Sequence, residues 1–407
     1  MSGVTPPSYR ALLAVPSIGR LMLGMVIART ASAMASVVLV LFTLTHFNSP
    51  ELAGLVTFVS LAPGIFIAPV VGALLDRHGR ARLVLLDYLM AATGCLGIAA
   101  LVGLGLLSAP VLVVVALLLG LAWPLGTIGL RSLVPLIVPK ELWGRANALD
   151  SNGYVIATLI GPPVAGAMVG LAGGAAALAV VGATYVIAAV VMIGIPDPRT
   201  PYDSQGRLLV DALAGVRYVL RHRTLRGLAL GLSIMNIGGG MLQILVPVLL
   251  LNRLGQGPAV VGLAWAVSGL GGLVAALFVG RIDSHGRERA LIVWPLLGTA
   301  AATALLLAPL QVWLVVLVIG IIGLLNGPMD VGMFTIRQRR TDFSWVGRAF
   351  AVSMSLNFAG FPVGSALGGL LVGQSIELTI LVSVSTAVLA AFTIWRLVPA
   401  RDGMDQA

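Results

Sequence analysis

Two charged residues lie inside long apolar stretches of the sequence, where a charged side chain is most able to do chemistry. Asp330 lies in an apolar run at 311–335, and Arg29 lies in another at 19–45. A lone charge in an apolar medium costs about 2.5–3.5 kcal/mol or more, so each should have a partner or a task. A carboxyl group can carry a proton, and a guanidinium can hold an anion or a carboxylate. We therefore predict proton transfer at Asp330, with a structural pair to Arg337 or Arg29 as the alternative, and anion or carboxylate binding at Arg29.

Two further aspartates lie near the ends of apolar runs. Asp150 begins the run at 147–171, and Asp87 lies one turn inside the run at 83–107. Acidic side chains are stabilised near the start of a helix, so a helix-end or interhelix contact is the simpler interpretation of both residues. Asp150 is the second candidate for proton coupling.

Polar residues recur at helical spacing in four of the apolar runs. Intervals of three, four, seven or eight residues place them on one face of a helix. A single polar face on each helix is what a water-filled pathway through a membrane needs. Seven of these residues are predicted to line a substrate cavity: Arg29, Trp123, Thr127, Asn236, Gln243, Asn326 and Met333.

The composition identifies the medium in which these helices lie. The chain has 407 residues, of which 58% are apolar and 10% charged, whereas about a quarter of the residues of a soluble domain are charged. A soluble globular enzyme is therefore excluded. Each bilayer crossing needs roughly 20 apolar residues, and twelve candidate runs are found, at about 19–45, 52–75, 83–107, 110–135, 147–171, 175–195, 227–251, 259–281, 290–308, 311–335, 348–373 and 376–397. The predicted fold is an all-α integral membrane protein.

The sequence predicts no cofactor, no metal site and no nucleic-acid partner. Cys95 is the only cysteine, and the four histidines form no pair with zinc-ligand spacing. Lys140 is the only lysine and is followed by Glu141, so the chain has no Walker A loop. The net charge of +10 is spread over the loops instead of forming a patch. Any energy source must then be an ion gradient or a partner ATPase.

The basic residues predict how the chain is oriented in the membrane. All of them except Arg29 and Arg253 fall on one side of the twelve predicted spans. Basic loops remain in the cytoplasm, so both termini and the long loop at about 196–226 are predicted to be cytoplasmic. Within that loop four apolar residues recur at helical spacing, Leu209, Leu213, Val216 and Leu220, which is typical of a helix on the membrane surface. A solvated linker helix is the alternative.

The two halves of the chain repeat each other. The segment Asp76–Arg82 recurs 207 residues later as Asp283–Arg289, and Gly144 recurs 203 residues later as Gly347. Two parallel six-helix bundles around a site at the membrane midplane are the architecture of a secondary transporter. We predict an N-terminal bundle over 1–195, a cytoplasmic linker over 196–226 and a C-terminal bundle over 227–407.

These motifs resemble those of the major facilitator superfamily over the whole chain. The segment from Gly72 to Arg80 is similar to the signature between helices 2 and 3, and Gly161-Pro162-Pro163-Val164-Ala165-Gly166 resembles the motif of proton-driven antiporters. The likeness is greatest to twelve-span exporters of macrolides and catecholate siderophores.

The resemblance also implies gating latches, in which Asp76 docks near Gly347 and Asp283 near Gly144. The alternative is a hairpin that only fixes topology. The residues assigned to gating are Gly72, Asp76, Arg77, Gly79, Arg80, Gly144, Asp283, Gly286, Arg287 and Gly347, and those assigned to the antiporter motif are Gly161, Pro162 and Gly166.

The predicted function is proton-coupled efflux of a lipophilic small molecule from a bacterial cell, by a transporter that works as a monomer. Its predicted partners are the small-molecule substrate, protons and the lipid bilayer. The alternatives are an importer of a small metabolite and, less favoured by the residues, a receptor that transports nothing.

Overall fold

The computed structural model describes residues 8–198, 208–279, 286–342 and 345–400. These residues form helices and connections, and no strand occurs within the described ranges. The helices are α1 (Tyr9–Leu13), α2 (Ile18–Phe47), α3 (Pro50–His78), α4 (Arg80–Gly103), α5 (Ala109–Ile137), α6 (Trp143–Met192), α7 (Leu208–Arg221), α8 (Arg223–Val248), α9 (Pro258–Val279), α10 (Glu288–Ala304), α11 (Val312–Arg339), α12 (Val346–Phe358), α13 (Gly360–Val372) and α14 (Ile376–Leu397).

The predicted number of twelve spans is confirmed. Within the described ranges eleven helical segments are long and apolar enough to cross a membrane. One of them contains α6, which has 50 residues. At 1.5 Å per residue such a helix would be about 75 Å long, which is more than twice the thickness of a bilayer's hydrocarbon core. Gly173 breaks α6 with a φ of 84°, a conformation that glycine adopts readily, and so divides it into the fifth and sixth spans.

The chain divides into two compact units. The first unit comprises residues 1–39 and 59–206, and the second comprises 40–58 and 207–407. Residues 40–58, at the end of α2 and the start of α3, thus group with the second unit. The sequence-based division at 195 and 227 stays a prediction.

In the first unit, α4 packs against both α5 and α6. Val71, Leu75, Leu83 and Leu125 form a buried cluster between α3, α4 and α5. Tight contact between α2 and α6 depends on Gly161, because a Cβ there would lie 2.7 Å from the Cβ of Ala33. The antiporter-like motif therefore brings two backbones close together, as small residues do in membrane helices.

The second unit repeats this contact. Here α8 packs against α13 and α14, and α11 packs against α9 and α10. A Cβ on Gly364 would overlap the carbonyl of Ile237 on α8. Gly364 follows Gly161 by 203 residues, the offset of the repeat. In both units, therefore, the helices that form the first and fifth spans of that half pack with their backbones in close contact.

The helix within the predicted linker is α7, which packs against α12 in the second unit. Val219 is fully buried, and the ring of Tyr218 stacks on Trp345 with centroids 4.8 Å apart. Burial raises the pKa of Tyr218 above its ordinary value of 10.0, so its hydroxyl is neutral at physiological pH. Leu213 and Leu220 are exposed on the same helix. The alternative of a linker helix free of contacts is therefore wrong, whereas the membrane-surface position stays a prediction.

Candidate functional site

A charged cluster lies inside the first unit, where α2, α5 and α6 supply one charged residue each. The Arg29 guanidinium donates from Nη2 to Asp150 Oδ1 and from Nη1 to the Asp150 carbonyl, both at 2.6 Å. Arg131 Nε lies 3.9 Å from the other carboxylate oxygen. The side chains of Arg29 and Asp150 are only 10% and 15% exposed. The geometry is that of a strong, charge-assisted pair.

An aromatic ring completes this cluster. The Arg29 guanidinium lies 3.6 Å from the centroid of the Tyr154 ring, and that of Arg131 lies 5.3 Å from it. Both distances allow cation–π attraction. A Cβ on Gly153 would lie 3.2 Å from Arg29 Nη1, so a larger residue here would crowd the guanidinium. Sequence reasoning missed Tyr154, which lies one helical turn after Asp150.

The cluster carries one more positive than negative charge when all its groups are ionised. Arg29 is held by Asp150, whereas the side chain of Arg131 is 60% exposed. Arg29 and Asp150 were predicted for different tasks, cargo binding and proton coupling. The structure makes them partners, so a proton on Asp150 would change the charge that balances Arg29.

The second unit contains a cavity of about 220 Å³ among α8, α9, α10, α11, α13 and α14. Three of the predicted cavity residues, Asn236, Gln243 and Asn326, line it together. The cavity has no charged side chain among its described lining residues. Its polar lining comprises Asn236, Gln243, Trp265, Ser268, Thr299, Thr303, Asn326 and Ser383. Such a wall suits a ligand that forms hydrogen bonds and carries little charge.

An amide pair joins α8 to α12 beside this cavity. Asn236 Nδ2 donates to Asn357 Oδ1 at 2.9 Å and to the carbonyl of Asn357 at 3.1 Å. Asn357 follows Tyr154 by 203 residues. Each half therefore links its first and fifth spans by polar groups, ionic in the first unit and uncharged in the second.

The other predicted cavity residues lie elsewhere. Trp123 and Thr127 are on α5, where the Thr127 hydroxyl donates to the Trp123 carbonyl at 3.2 Å. Met333 is 5% exposed and packs in the hydrophobic core of the second unit. Its sulfur lies 3.6 Å from Asn357 Nδ2, which donates to it.

Asp330 is exposed on α11, one turn after Asn326. Among the described residues it forms no hydrogen bond or ion pair. Arg337, one of its two alternative partners, is buried and donates to the sulfur of Met354 at 2.6 Å. Arg29, the other, pairs with Asp150. A proton-carrying role for Asp330 stays a prediction.

The signature loop forms contacts within the first unit. Asp76 pairs with Arg80 one turn later, with 2.5 Å between Oδ1 and Nη2. Gly79 has a φ of 95° and precedes α4. The Asp197 carboxylate accepts hydrogen bonds from the backbone N–H groups of Arg80 and Ala81, both at 3.0 Å. Sequence reasoning missed this cap, since Asp197 lies more than a hundred residues away, between two prolines.

The remaining loop residues are placed as follows. Gly72 is on α3 and Arg77 is in its last turn, and Arg287 precedes α10. Gly286 has a φ of 72°, Gly144 lies in the first turn of α6 and Gly347 in the first turn of α12. Asp283 lies outside the described residues. Docking of Asp76 near Gly347 and of Asp283 near Gly144 stays a prediction.

Comparisons with known proteins identify the family. The profile of the Major Facilitator Superfamily matches residues 21–255 and 228–406. The chain belongs to this superfamily. It is 37% identical over 395 residues to the MFS-type transporter y4rN of Sinorhizobium fredii, a match that covers 96% of this chain and 97% of that protein. It is 27% identical over 330 residues to the enterobactin exporter EntS of Citrobacter koseri, a match that covers 79% and 76% of the two chains.

Two solved structures confirm the major facilitator fold. A point mutant of the nucleoside transporter NupG superposes with a TM-score of 0.71 over 94% of this chain and 100% of that chain, at 12% identity. A bacterial homologue of the human lysosomal transporter Spinster, in an inward-facing and unoccupied conformation, gives 0.71 over 94% and 98% of the two chains, at 14% identity. This major facilitator protein is therefore a multi-pass membrane transporter of small molecules, and its family is not an enzyme family.

Proposed function

We propose that this transporter exports a lipophilic small molecule in exchange for protons by alternating access. The observation that carries the proposal is the buried pair of Arg29 and Asp150 beside Arg131. An intramembrane carboxylate that holds two guanidinium groups is costly to build and is typical of an ion or proton pathway. When Asp150 takes up a proton, Arg29 loses its counter-charge and the cluster must rearrange.

The direction of transport is argued from two likenesses. The relatives named as enterobactin exporters are 27% identical to this chain, and Gly161-Pro162 with Gly166 resembles the motif of proton-driven antiporters. Both favour export over uptake. A proton that moves down a potential of 100 mV supplies about 2.3 kcal/mol, which is enough to bias such a cycle.

The proposed cargo is lipophilic and carries little charge. The cavity in the second unit offers amides, hydroxyls and one indole but no charged group among its described lining residues. Because the guanidinium groups of Arg29 and Arg131 could bind a negative charge, an organic anion is the second class of proposed cargo. Asp330, one turn from the cavity residue Asn326, is the second candidate for proton coupling.

The proposed gates are the two signature loops. Asp76 and Arg80, with Gly72, Arg77 and Gly79, would close the cytoplasmic side against the helix that begins near Gly347. Asp283, Gly286 and Arg287 would do the same near Gly144. The protein would act in a bacterial cell membrane as a monomer, with both termini in the cytoplasm.

The test uses energised inside-out vesicles with an acidified lumen. Proton efflux is followed while lipophilic cations, macrolides and a catecholate siderophore are added in turn. For wild-type vesicles we expect at least one compound to release protons, and for Asp150→Asn we expect that release to fall to the level of vesicles without the transporter. Glu141→Gln, which changes an exposed carboxylate, is the control and should behave as wild type.

Three other outcomes are informative. If Asp150→Asn releases protons as the wild type does while Asp330→Asn does not, coupling belongs to Asp330. If both variants release protons, efflux stands and neither residue is needed for coupling. If no compound releases protons from vesicles that contain the folded wild-type protein, antiport of these classes is refuted and import becomes the better hypothesis.

A further inference from the structure

A second buried carboxyl group lies deep in the first unit, apart from the charged cluster. Asp87 on α4 is 8% exposed. Among the described residues no hydrogen bond or ion pair to its carboxyl is found. An ionised carboxylate buried in this way, without a partner, costs far more than a neutral one. Asp87 is therefore a group that should hold a proton in this conformation.

The neighbouring helix leaves space for this carboxyl group. A Cβ on Gly126 of α5 would overlap Asp87 Oδ2, so any other residue at position 126 would displace the carboxyl. The φ angle of Gly126 is not positive, so its backbone conformation does not require glycine. Its function in the structure is to admit the Asp87 side chain between α4 and α5.

A second unpaired polar group meets the same glycine. Tyr88 is 2% exposed, and its hydroxyl has no hydrogen-bond partner in the described part of the chain. Its Cε1 lies 3.5 Å from the position that a Cβ on Gly126 would take. A buried hydroxyl without a partner, beside a carboxyl group that has no hydrogen bond in the described part of the chain, marks a polar site that neither residue completes alone.

The site is linked to the charged cluster by tyrosines. The rings of Tyr88 and Tyr185 lie 6.2 Å apart, and the Tyr185 hydroxyl lies close to Ser32, one turn after Arg29 on α2. Tyr88 is close enough to both Asp87 and Arg29 to interact with their charges. Around Tyr88 and Tyr185 the titratable and charged groups are Asp87 and Cys95 on α4, Arg29 on α2 and Tyr154 on α6, and Arg29 leads on to Asp150 and Arg131 in the charged cluster.

We propose that the Asp87 carboxyl, held against Gly126, binds the proton that is exchanged for cargo. The two guanidinium groups of the neighbouring cluster lie with Asp150, so Asp87 is neutral as long as that pair is intact. Release of this proton to Asp150 would break the pair with Arg29 and leave a carboxylate at Asp87, so the two carboxyl groups share one exchanged proton and the charge that balances Arg29 changes as that proton moves. The inference rests on the proposed proton-coupled export and names a residue for it.

The first measurement does not depend on transport. Infrared difference spectra of the purified full-length protein, wild type minus Asp87→Asn, should show the carbonyl band of a protonated carboxyl group at neutral pH. The band should disappear in strong alkali, and Asp87→Asn should keep its thermal stability because an amide mimics the neutral carboxyl. If the band is missing at neutral pH, Asp87 is ionised and the proposal is overturned.

The second measurement is proton release in the vesicle assay described above. With a compound that releases protons through the wild type, Asp87→Asn should reduce that release to the background of empty vesicles while exchange of labelled cargo at equal concentrations continues. Gly126→Ala should act in the same direction, and Gly97→Ala, which meets open space on α4, is the matched control. If Asp87→Asn releases protons as the wild type does, Asp87 holds only a structural proton and the proposal is wrong. If the infrared band is present but the wild type releases no protons, the proposed export fails, whereas the protonation of Asp87 stands.

Discussion

Arg29 shows how one side chain can be committed to several partners at once. Its guanidinium contacts the carboxylate and the carbonyl of Asp150 and covers the ring of Tyr154. A planar group with five donors and a stacking face can do this, whereas a lysine ammonium cannot. An Arg29→Lys change is therefore not conservative at this position.

We predict that loss of either member of the pair destabilises the protein strongly. Arg29→Met or Asp150→Leu leaves a buried charge without its main partner, which lowers the free energy of unfolding by about 3–5 kcal/mol. The double variant leaves no such charge, so its loss should be much smaller than the sum of the two. Reversible unfolding of the purified protein in detergent measures all three values.

The control for this cycle is Arg10→Met, which removes an exposed arginine and should change little. A double variant whose loss equals the sum of the single losses would show that the two side chains do not interact in the folded protein. Arg131 contacts the same carboxylate, so a residual interaction in Arg29→Met is expected to come from it.

At the scale of helices, the start of α4 is held by a residue from a distant part of the chain. The Asp197 carboxylate accepts from two of the free N–H groups at this helix start, as a helix cap does. The connection after α6 is thereby attached to the signature loop. The first turn of α10 in the second unit is held in a different way, because the side chain of Arg289 donates to the carbonyl of Val398 at 3.3 Å.

Removal of this cap should weaken the first unit. We expect Asp197→Ala to lower the free energy of unfolding by about 1 kcal/mol and Asp197→Asn, which keeps an acceptor oxygen, to lower it less. Thermal unfolding of the purified variants measures both, with the exposed Glu141→Ala as the control. Equal losses for Asn and Ala would argue that the charge of the carboxylate matters more than its hydrogen bonds.

For the whole molecule, the orientation in the membrane is open to a direct test. Cys95, the only cysteine, is 1% exposed and should not react with a maleimide in the folded protein. A membrane-impermeant maleimide should label Gln256→Cys in intact cells, because the connection between α8 and α9 is predicted to face outward. It should label Arg221→Cys on α7 only after the membrane is permeabilised. The reverse pattern would overturn the predicted cytoplasmic termini.

The sequence was sufficient for the helices but not for their contacts. Length and hydropathy predict the twelve spans, because a bilayer sets the minimum length of an apolar run. The repeat of Asp76–Arg82 at 283–289 predicts two related halves. The break within α6 at Gly173 falls between the predicted runs at 147–171 and 175–195, although no charge or proline marks it.

The site was predicted as separate residues. Arg29 and Asp150 are 121 positions apart, and nothing in a single sequence indicates that their side chains meet. Tyr154 was missed because an aromatic residue in an apolar run carries no polar signal. Asp87 was interpreted as a helix-end or interhelix residue, and only the structure shows how tightly Gly126 encloses it.

The two glycine contacts, Gly161 with Ala33 and Gly364 with Ile237, have a mechanical consequence. Two helices whose backbones touch have no layer of side chains between them that could deform. Neither helix of such a pair can slide along the other without a collision, so we expect the two helices to move together as one rigid body. Conformational change in the transporter should then take place between other helices. A compound that bound between these two helices would inhibit transport by distorting the rigid pair, without having to block the substrate cavity.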